Sequence, residues 1–275
     1  MLNTDPNHKH TYNEQGEMTP ALIELQGFPS LFAFEAIQNK AIRQAYDIPT
    51  GYNCYLNGLE EASYLDLLKK MITGQDQKHT VLLEIFPYQQ KTRIDFYYTQ
   101  KLIGIPIVCI SEIYLIDKAL FYSRDGIEYK IERIYNRVVW DDLKNQSDII
   151  KAKGALLLQD IDVEWVTHPN HFYRISKYLL PFLKHQFIPE SHLLSDLSSI
   201  PFDLEQYVLK PLFSFAGQGV IIDVTHEDIT ANKDPENWII QRKVKYAPII
   251  ETPTGPAKAE IRLFYFWDER TKKYI

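Results

Sequence analysis

The residues best suited to chemistry lie in the last third of this 275-residue chain. A lysine, Lys210, ends an apolar run over residues 207–210 that predicts a strand. Small residues let backbone N–H groups approach phosphate oxygens closely, and a lysine places a compact positive charge beside them. The loop that follows Lys210 has this composition, with Ser214, Ala216, Gly217, Gln218 and Gly219.

The spacing of this loop excludes two common nucleotide-binding signatures. The GxxxxGK(S/T) pattern of a P-loop is absent, and no GxGxxG follows a strand and opens a helix. Because residues 220–224 predict a second strand, the loop joins two strands and can fold over phosphates as a flap. A plain β-hairpin with glycines in its turn explains the same pattern equally well.

An apolar run over residues 238–241 is the next element with a possible role. It predicts a strand that continues into a polar, extended segment, whose backbone can face the edge of an adenine ring. Gln241 would end the strand, and Val244 would pack on the ring. The alternative is an edge strand with a solvated basic end.

Residues 259–266 predict a further strand, with two charged side chains inside it. The alternation of side chains along a strand places Glu260 and Arg262 on the same face. Charged groups in such an apolar strand need partners or a ligand. The functional interpretation is an arginine that faces the γ-phosphate of a nucleotide, and the alternative is a buried ion pair with no further role.

Taken in this order, the segments resemble the ATP-grasp superfamily. Its members show a strand ending in lysine, a glycine-rich flap, a hinge strand that reads adenine and a D/E-x-R strand near the phosphates. The matching residues here are 209–211, 215–219, 239–241 and 260–262. The hinge residue is often Glu in the family, whereas here it is Gln241. A second family lysine lies earlier, and Lys177 is the best match, with Arg174 and Lys184 as weaker ones and a solvated helix face as the alternative.

The resemblance implies an ATP- and Mg²⁺-dependent ligase that joins a carboxylate to an amine through an acyl phosphate. Lys210 and Lys177 would bind the α- and β-phosphates, the loop would cover them, and Arg262 would neutralise charge on the γ-phosphate. Family members keep their Mg²⁺ ligands tens of residues beyond the arginine strand, and this sequence has 13 residues after Arg262, so no metal ligand is identified. We therefore expect either a fragment of a longer protein or a nucleotide-binding module without catalysis. A structural or interaction protein that keeps the fold is a further alternative.

The N-terminal half predicts an α/β domain. A strand over residues 79–86, a helix over 91–102 and a strand over 105–110 form a βαβ unit. Residues 126–138, with an arginine–tyrosine–arginine pattern, are similar to segments of glutathionylspermidine-synthase-like and related peptide ligases. The predicted fold class is therefore α/β, with an N-terminal Rossmann-like, pre-ATP-grasp domain followed by a partial ATP-grasp domain. The expected division is a poorly ordered lead-in (1–17), the first domain (18–155) and the ATP-grasp domain (156–275).

Composition limits the partners and the compartment. The net charge of −6 argues against a protein that works on nucleic acid or on an anionic membrane. Two cysteines, no apolar leader and no 18-residue apolar run predict a cytoplasmic protein with no membrane partner. The partners that the ATP-grasp resemblance implies are ATP and an unknown small molecule or peptide. Outside the nucleotide segments, Glu84 ends a predicted strand where open α/β sheets bind ligands, although helix capping explains it equally well.

Overall fold

The structure is a computed structural model, and it describes residues 2–3, 17–28, 30–214, 217–268 and 271–275. Contacts within the chain divide it into two compact units. One consists of Phe28–Pro169 and Tyr265–Ile275, and we call it the parallel unit after its main sheet. The other consists of Met1–Gly27 and Asn170–Phe264, and we call it the antiparallel unit.

The parallel unit is built on a four-stranded sheet in which every neighbouring pair is parallel. The strand Thr80–Glu84 is buried at all five positions, as expected for a sheet covered on both faces. The four strands are β1 (Thr80–Glu84), β2 (Ile107–Cys109), β6 (Arg133–Asn136) and β7 (Glu164–Val166). Their order across the sheet is β2-β1-β6-β7.

Three further strands of this unit form a small antiparallel sheet between β2 and β6 in sequence. The turn signal at residues 124–126 predicts a hairpin, and the structure confirms it, with Asp125 (φ 53°) and Gly126 (φ 75°) in the turn. Two positive φ angles in a row are the geometry that matches the twist of paired strands. The strands of this sheet are β3 (Ile113–Ile116), β4 (Ala119–Arg124) and β5 (Ile127–Ile131).

Helices cover the parallel sheet. On one face, Val81, Leu83 and Ile134 pack with Leu143 and Ile150 from the two helices between β6 and β7. The helices of the unit are α1 (Phe32–Ala45), α2 (Glu61–Thr73), α3 (Arg93–Ile103), α4 (Trp140–Lys144) and α5 (Asp148–Leu156). The predicted βαβ unit is confirmed, because α3 connects the parallel neighbours β1 and β2.

A buried carboxylate fixes the start of α1. Asp95 of α3 is fully buried, and its two oxygens accept the backbone N–H groups of Leu31, Ala33 and Phe34. These N–H groups have no partner inside their own helix, so the aspartate satisfies them and its charge is favourable at the helix N-terminus.

The antiparallel unit has a three-stranded sheet, formed by β8 (Ser191–Leu193), β9 (Tyr207–Pro211) and β10 (Trp238–Arg242), with β10 at the centre. The helices of this unit are α6 (His171–Arg174) and α7 (His226–Thr230). Shorter strand pairs join Leu2–Asn3 to Thr19–Pro20 and Pro248–Ile250 to Ala257–Lys258, and the parallel unit has one more, Trp267–Asp268 with Lys273–Tyr274. The 3₁₀ turns of the antiparallel unit are Lys177–Phe182, Leu194–Asp196, Leu204–Gln206 and Pro235–Asn237, and those of the parallel unit are Pro87–Gln89 and Ile110–Glu112.

One predicted helix is broken in the structure. The pattern predicts a helix over 172–183, but α6 ends at Arg174, and a separate 3₁₀ turn begins at Lys177. Ser176 between them is extended, and its hydroxyl accepts the N–H of Tyr178. Pro181, which has no N–H to donate, prevents the second piece from continuing as an α-helix.

Two predicted strands differ as well. Of residues 220–224, Ile221 alone pairs, in an isolated bridge to Leu209. The strand predicted over 259–266 is absent, and a two-residue strand begins directly after it, at Trp267. Residues 260–263 are exposed, so no packing partner holds them extended among the described residues.

The division into units also differs from the expected domains. The main boundary lies at Pro169 and Asn170, but the chain up to Gly27 belongs with the C-terminal segment, and Tyr265–Ile275 belongs with the N-terminal one. Of the expected lead-in, residues 1 and 4–16 lie outside the described part of the chain. A mixed α/β fold with a parallel sheet is confirmed. No helix in the described residues has both the length and the apolar character needed to cross a membrane.

Candidate functional site

Lys210 lies in strand β9 of the antiparallel sheet, and its side chain is half-buried. It pairs with Ile239 of β10, two positions from the pair of Val208 and Gln241, so all four side chains lie on one face. Its Nζ donates to Gln241 Oε1 at 2.6 Å and to the carbonyl of Ile23 at 3.2 Å. The lysine head is therefore held by the sheet and by the segment that precedes Gly27.

Lys177 comes from a different element and is 6% exposed. It is the first residue of the 3₁₀ turn that follows α6. Its Nζ donates to the carbonyl of Ser214 at 3.0 Å and lies 3.4 Å from the Ser214 hydroxyl. Glu24 Oε1 is 3.8 Å away. The break in the predicted helix thus directs this lysine into the unit, where it contacts the loop after β9.

Lys177 and Lys210, which we call the lysine pair, lie within electrostatic range of each other and of Glu24. Burial, with a smaller contribution from the charge of Lys177, lowers the pKa of Lys210 to about 8. Burial also lowers the pKa of Lys177. Glu24 and, for Lys210, Glu260 act in the opposite direction but do not cancel the effect of burial. The two ammonium groups are thus under-compensated, and an anion bound beside them would restore their charged form.

The loop after β9 is described in part. Gly217 (φ 75°) and Gly219 (φ 74°) both adopt the left-handed conformation that favours glycine, and Val220 N–H donates to the Gly217 carbonyl. A Cβ added at Gly219 would lie 2.9 Å from Pro211 Cγ, whereas one at Gly217 would meet nothing within 4 Å. Gln218 is exposed. Ala216 lies outside the described residues, as does residue 215.

Gln241 is 1% exposed, and its amide links two strands. Its Nε2 donates to Ser191 Oγ at 2.9 Å, and its Oε1 accepts from Lys210. The sequence assigned Gln241 to the adenine edge, but its backbone lies between two paired strands. The Gln241 side chain therefore positions Lys210. The N–H of Lys243 donates to the carbonyl of Gln206, so the backbone edge that an adenine base can use begins after Lys243. Val244 follows directly and is half-buried.

Glu260 and Arg262 are both exposed and lie in an irregular segment rather than in the predicted strand. Glu260 is within electrostatic range of Lys210 and of Tyr246. The strand that would place both side chains on one face is absent, because residues 260–263 pair with no neighbouring strand in the described chain. The alternative of a buried ion pair is not met either, since both residues are exposed. Arg262 is not brought into contact with the lysine pair in the structure.

Sequence reasoning missed three residues of this site. Glu24 belongs to the segment assigned to the N-terminal domain, although it approaches Lys177 in the structure. Ser191 holds Gln241, and Tyr246 lies near Glu24 and Glu260, with burial as the first cause of its raised pKa. The periodicity around these residues gives no signal, because long-range packing alone brings them to the lysine pair.

Mg²⁺ prefers several carboxylate or carbonyl oxygens. Near the lysine pair, Glu24 and Glu260 are the carboxylates within electrostatic range, and Glu24 already lies beside the ammonium group of Lys177. Among the described residues, the group of three possible ligands that comes together is Asp76, His79 and Glu132, in the other unit. The described residues around the lysine pair therefore do not fit a magnesium site.

The comparisons with known proteins are sparse. No protein-family model matches the chain, and no curated protein matches it. Among solved structures, the chain is similar to a glutathione synthetase-like effector from Globodera pallida in its apo form, with a TM-score of 0.42 and 8% sequence identity. The match covers 86% of this chain and 58% of that one, so this chain spans a little over half the length of that protein. A likeness this distant assigns neither a family nor residue roles.

Proposed function

We propose that the antiparallel unit binds the phosphates of ATP at the lysine pair, and that the protein is an ATP-dependent ligase joining a carboxylate to an amine. The observation that carries the proposal concerns two lysines from separate elements, Lys177, which is buried, and Lys210, which is half-buried. Burial lowers the pKa of both in spite of the nearby Glu24. Leaving an ammonium group buried without a counter-charge is costly, and a polyphosphate supplies that charge.

In this proposal, Lys177 and Lys210 bind the α- and β-phosphates. Ser214 accepts from Lys177 in the free protein, so its hydroxyl is near enough to the same oxygens to donate to them. The loop containing Ala216, Gly217, Gln218 and Gly219 covers the phosphates with backbone N–H groups, and the adenine packs near Val244. Gln241 acts by holding Lys210 in place, and Glu24 fixes Lys177.

The proposed reaction has two steps. A substrate carboxylate oxygen attacks the γ-phosphorus, and ADP leaves, so an acyl phosphate forms. The amine then attacks the acyl carbon, inorganic phosphate leaves, and the amine loses a proton as the amide bond forms. Arg262 is the proposed group for γ-phosphate charge, which requires its exposed segment to move toward the lysine pair.

The second candidate is a nucleotide-binding module without ligase activity. It is favoured by one observation, namely that the described residues around the lysine pair do not form a magnesium site. Both candidates require ATP to bind, and they differ in whether phosphate is released.

Thermal unfolding with and without ATP and Mg²⁺ tests the shared requirement. At a free ATP concentration 100 times Kd, stabilisation amounts to ~2.7 kcal/mol, which corresponds to a Tm increase of roughly 5–10 °C for a chain of this size. Lys210→Met should abolish the increase, whereas the exposed Lys233→Met in the same unit should retain it. No increase in the unaltered protein at 10 mM ATP would reject both candidates.

Phosphate release separates the candidates. The ligase predicts ATP-dependent release of inorganic phosphate when a carboxylate and an amine are both present, and loss of release in Lys210→Met. ATP binding without release across a panel of amino acids, polyamines and short peptides would favour the binding module.

A further inference from the structure

The carboxyl ends of β1 and β6 form a second polar cluster, in the parallel unit. The chain leaves β1 through α3 to reach β2 on one side, and later returns to place β6 on the other side of β1. The strand order therefore reverses between β1 and β6. In open parallel sheets, ligands bind outside the carboxyl ends of the strands at such a reversal.

Two buried charged residues lie at this position. Glu84 ends β1 and is 7% exposed, and Arg137 directly follows β6 and is also 7% exposed. Arg137 N–H donates to the carbonyl of Leu83 at 2.9 Å, which continues the parallel ladder. Alternation along the paired strands then places Glu84 and Arg137 on the same face, and Arg137 acts electrostatically on Glu84.

The surroundings of these two side chains are partly built. Glu84 Oε1 accepts the N–H of Ile85 at 2.7 Å, and the guanidinium of Arg137 lies 4.9 Å from the centre of the Phe28 ring. A planar guanidinium stacked on a ring keeps N–H groups directed outward from its edge. The pair is therefore positioned by its own strands and by an aromatic support.

One further polar atom on this face lacks a hydrogen-bond partner among the described residues. It is the hydroxyl of Tyr135, which is 3% exposed and lies within electrostatic range of Arg137. Tyr135 of β6 is two positions before Arg137, so alternation places both side chains on the same face. Buried polar atoms nearly always have partners, so this unpaired hydroxyl indicates that a bound molecule supplies an acceptor.

We propose that the carboxyl ends of β1 and β6 bind the carboxylate group of a small organic acid or amino acid, with Arg137 as the charged donor and Glu84 as a neutral donor. Burial raises the pKa of Glu84 to about 8 in spite of Arg137, so near pH 7 the group carries a proton that it can donate. A carboxylate is the proposed ligand because the planar guanidinium of Arg137 can bind it through two parallel hydrogen bonds. The proposal does not rest on nucleotide binding by the antiparallel unit.

The test uses two matched probes without ATP. N-acetylglycine has a carboxylate and no ammonium group, and glycinamide has an ammonium group and no carboxylate. Isothermal titration calorimetry at pH 7 with up to 20 mM probe should detect N-acetylglycine and not glycinamide. Absence of N-acetylglycine binding, binding of glycinamide instead, or equal or tighter binding of inorganic phosphate that persists in Lys210→Met and is lost in Arg137→Lys would overturn the proposal.

Variants locate the bound probe. Arg137→Lys should weaken N-acetylglycine binding at least tenfold, whereas Arg93→Lys, an exposed arginine of α3, should not change it. If Arg137→Lys does not fold, two variants of Glu84 test the proposal. Glu84→Gln, which remains a neutral donor, should keep binding, and Glu84→Leu should lose it. Loss of N-acetylglycine binding in Lys210→Met would place the probe at the lysine pair and overturn the assignment, whatever the outcome of the ATP experiment.

Discussion

At the scale of single residues, Lys210 shows what burial does to an ordinary side chain. A lysine in water would be fully charged at neutral pH, but here it lies in a sheet beside Gln241 and a backbone carbonyl, near a second lysine. The folded protein keeps this group poised to lose its proton near pH 8. Such a perturbed group, with identifiable causes, is typical of a binding or catalytic position, although structural clusters produce it too.

This perturbation predicts an unusual dependence of stability on pH. The unfolded chain holds the Lys210 proton up to about pH 10.4, whereas the folded protein releases it near pH 8. Between these values the unfolded state binds more protons, so the free energy of unfolding rises with pH. Urea unfolding at pH 7.5 and pH 9.5 should show a gain of up to about 2 kcal/mol in the unaltered protein, and Lys210→Met should remove that gain.

The control for this measurement is Lys233→Met, since Lys233 is exposed and should leave the pH dependence unchanged. An equal pH dependence in Lys210→Met and the unaltered protein would show that Lys210 titrates normally. The same result would remove the main electrostatic support for a phosphate site at the lysine pair.

At the scale of elements, the loop after β9 depends on two glycines with different surroundings. Both have positive φ, so alanine at either position costs about 1 kcal/mol in backbone strain. At Gly219 the added methyl group also meets Pro211 at 2.9 Å, whereas at Gly217 it meets no atom. Gly219→Ala should therefore destabilise the protein by roughly 1–3 kcal/mol, more than Gly217→Ala, as measured by urea unfolding.

The two variants form a matched pair, because they share the strain and differ in the contact with Pro211. If Gly217→Ala is the more destabilising change, the loop does not pack on β9 as described. If the loop also covers phosphates, both variants should weaken ATP binding by more than their effect on stability explains.

Several elements could be predicted from the sequence, and the reason is local. The helices at Phe32–Ala45 and Glu61–Thr73, the strand at Thr80–Glu84 and the hairpin around Asp125 follow from periodicity and turn chemistry. The segment 259–266 shows the limit of that reasoning. Its alternation of apolar and charged residues predicts a strand, but a strand also needs a neighbour, which local pattern does not supply.

At the scale of the whole molecule, the two units carry separate candidate sites. The lysine pair lies in the antiparallel unit, and the Glu84–Arg137 cluster lies in the parallel unit. A nucleotide that binds at the lysine pair should stabilise the elements that contact it and leave distant ones unchanged.

Hydrogen exchange with and without ATP tests that localisation. We expect slower exchange in residues 22–25, 207–214 and 238–246, which surround the lysine pair, and unchanged exchange in β3, β4 and β5 of the parallel unit. Lys210→Met should show no slowing in any of these segments. Slowing confined to the parallel unit would place the nucleotide elsewhere in the chain.

The sequence by itself determined the α/β class, most of the helices and central strands, and the residue types able to meet phosphate, because these depend on periodicity and composition over short stretches. Only the tertiary structure decided that Lys177 turns inward near Lys210, that Glu24 joins them from a distant segment, and that the Gln241 side chain hydrogen-bonds Lys210 and Ser191. Arg262, equally prominent in the sequence, lies exposed. The physical reason is that convergence and burial arise from contacts between residues far apart in the chain, and these contacts leave no periodic signal in the sequence.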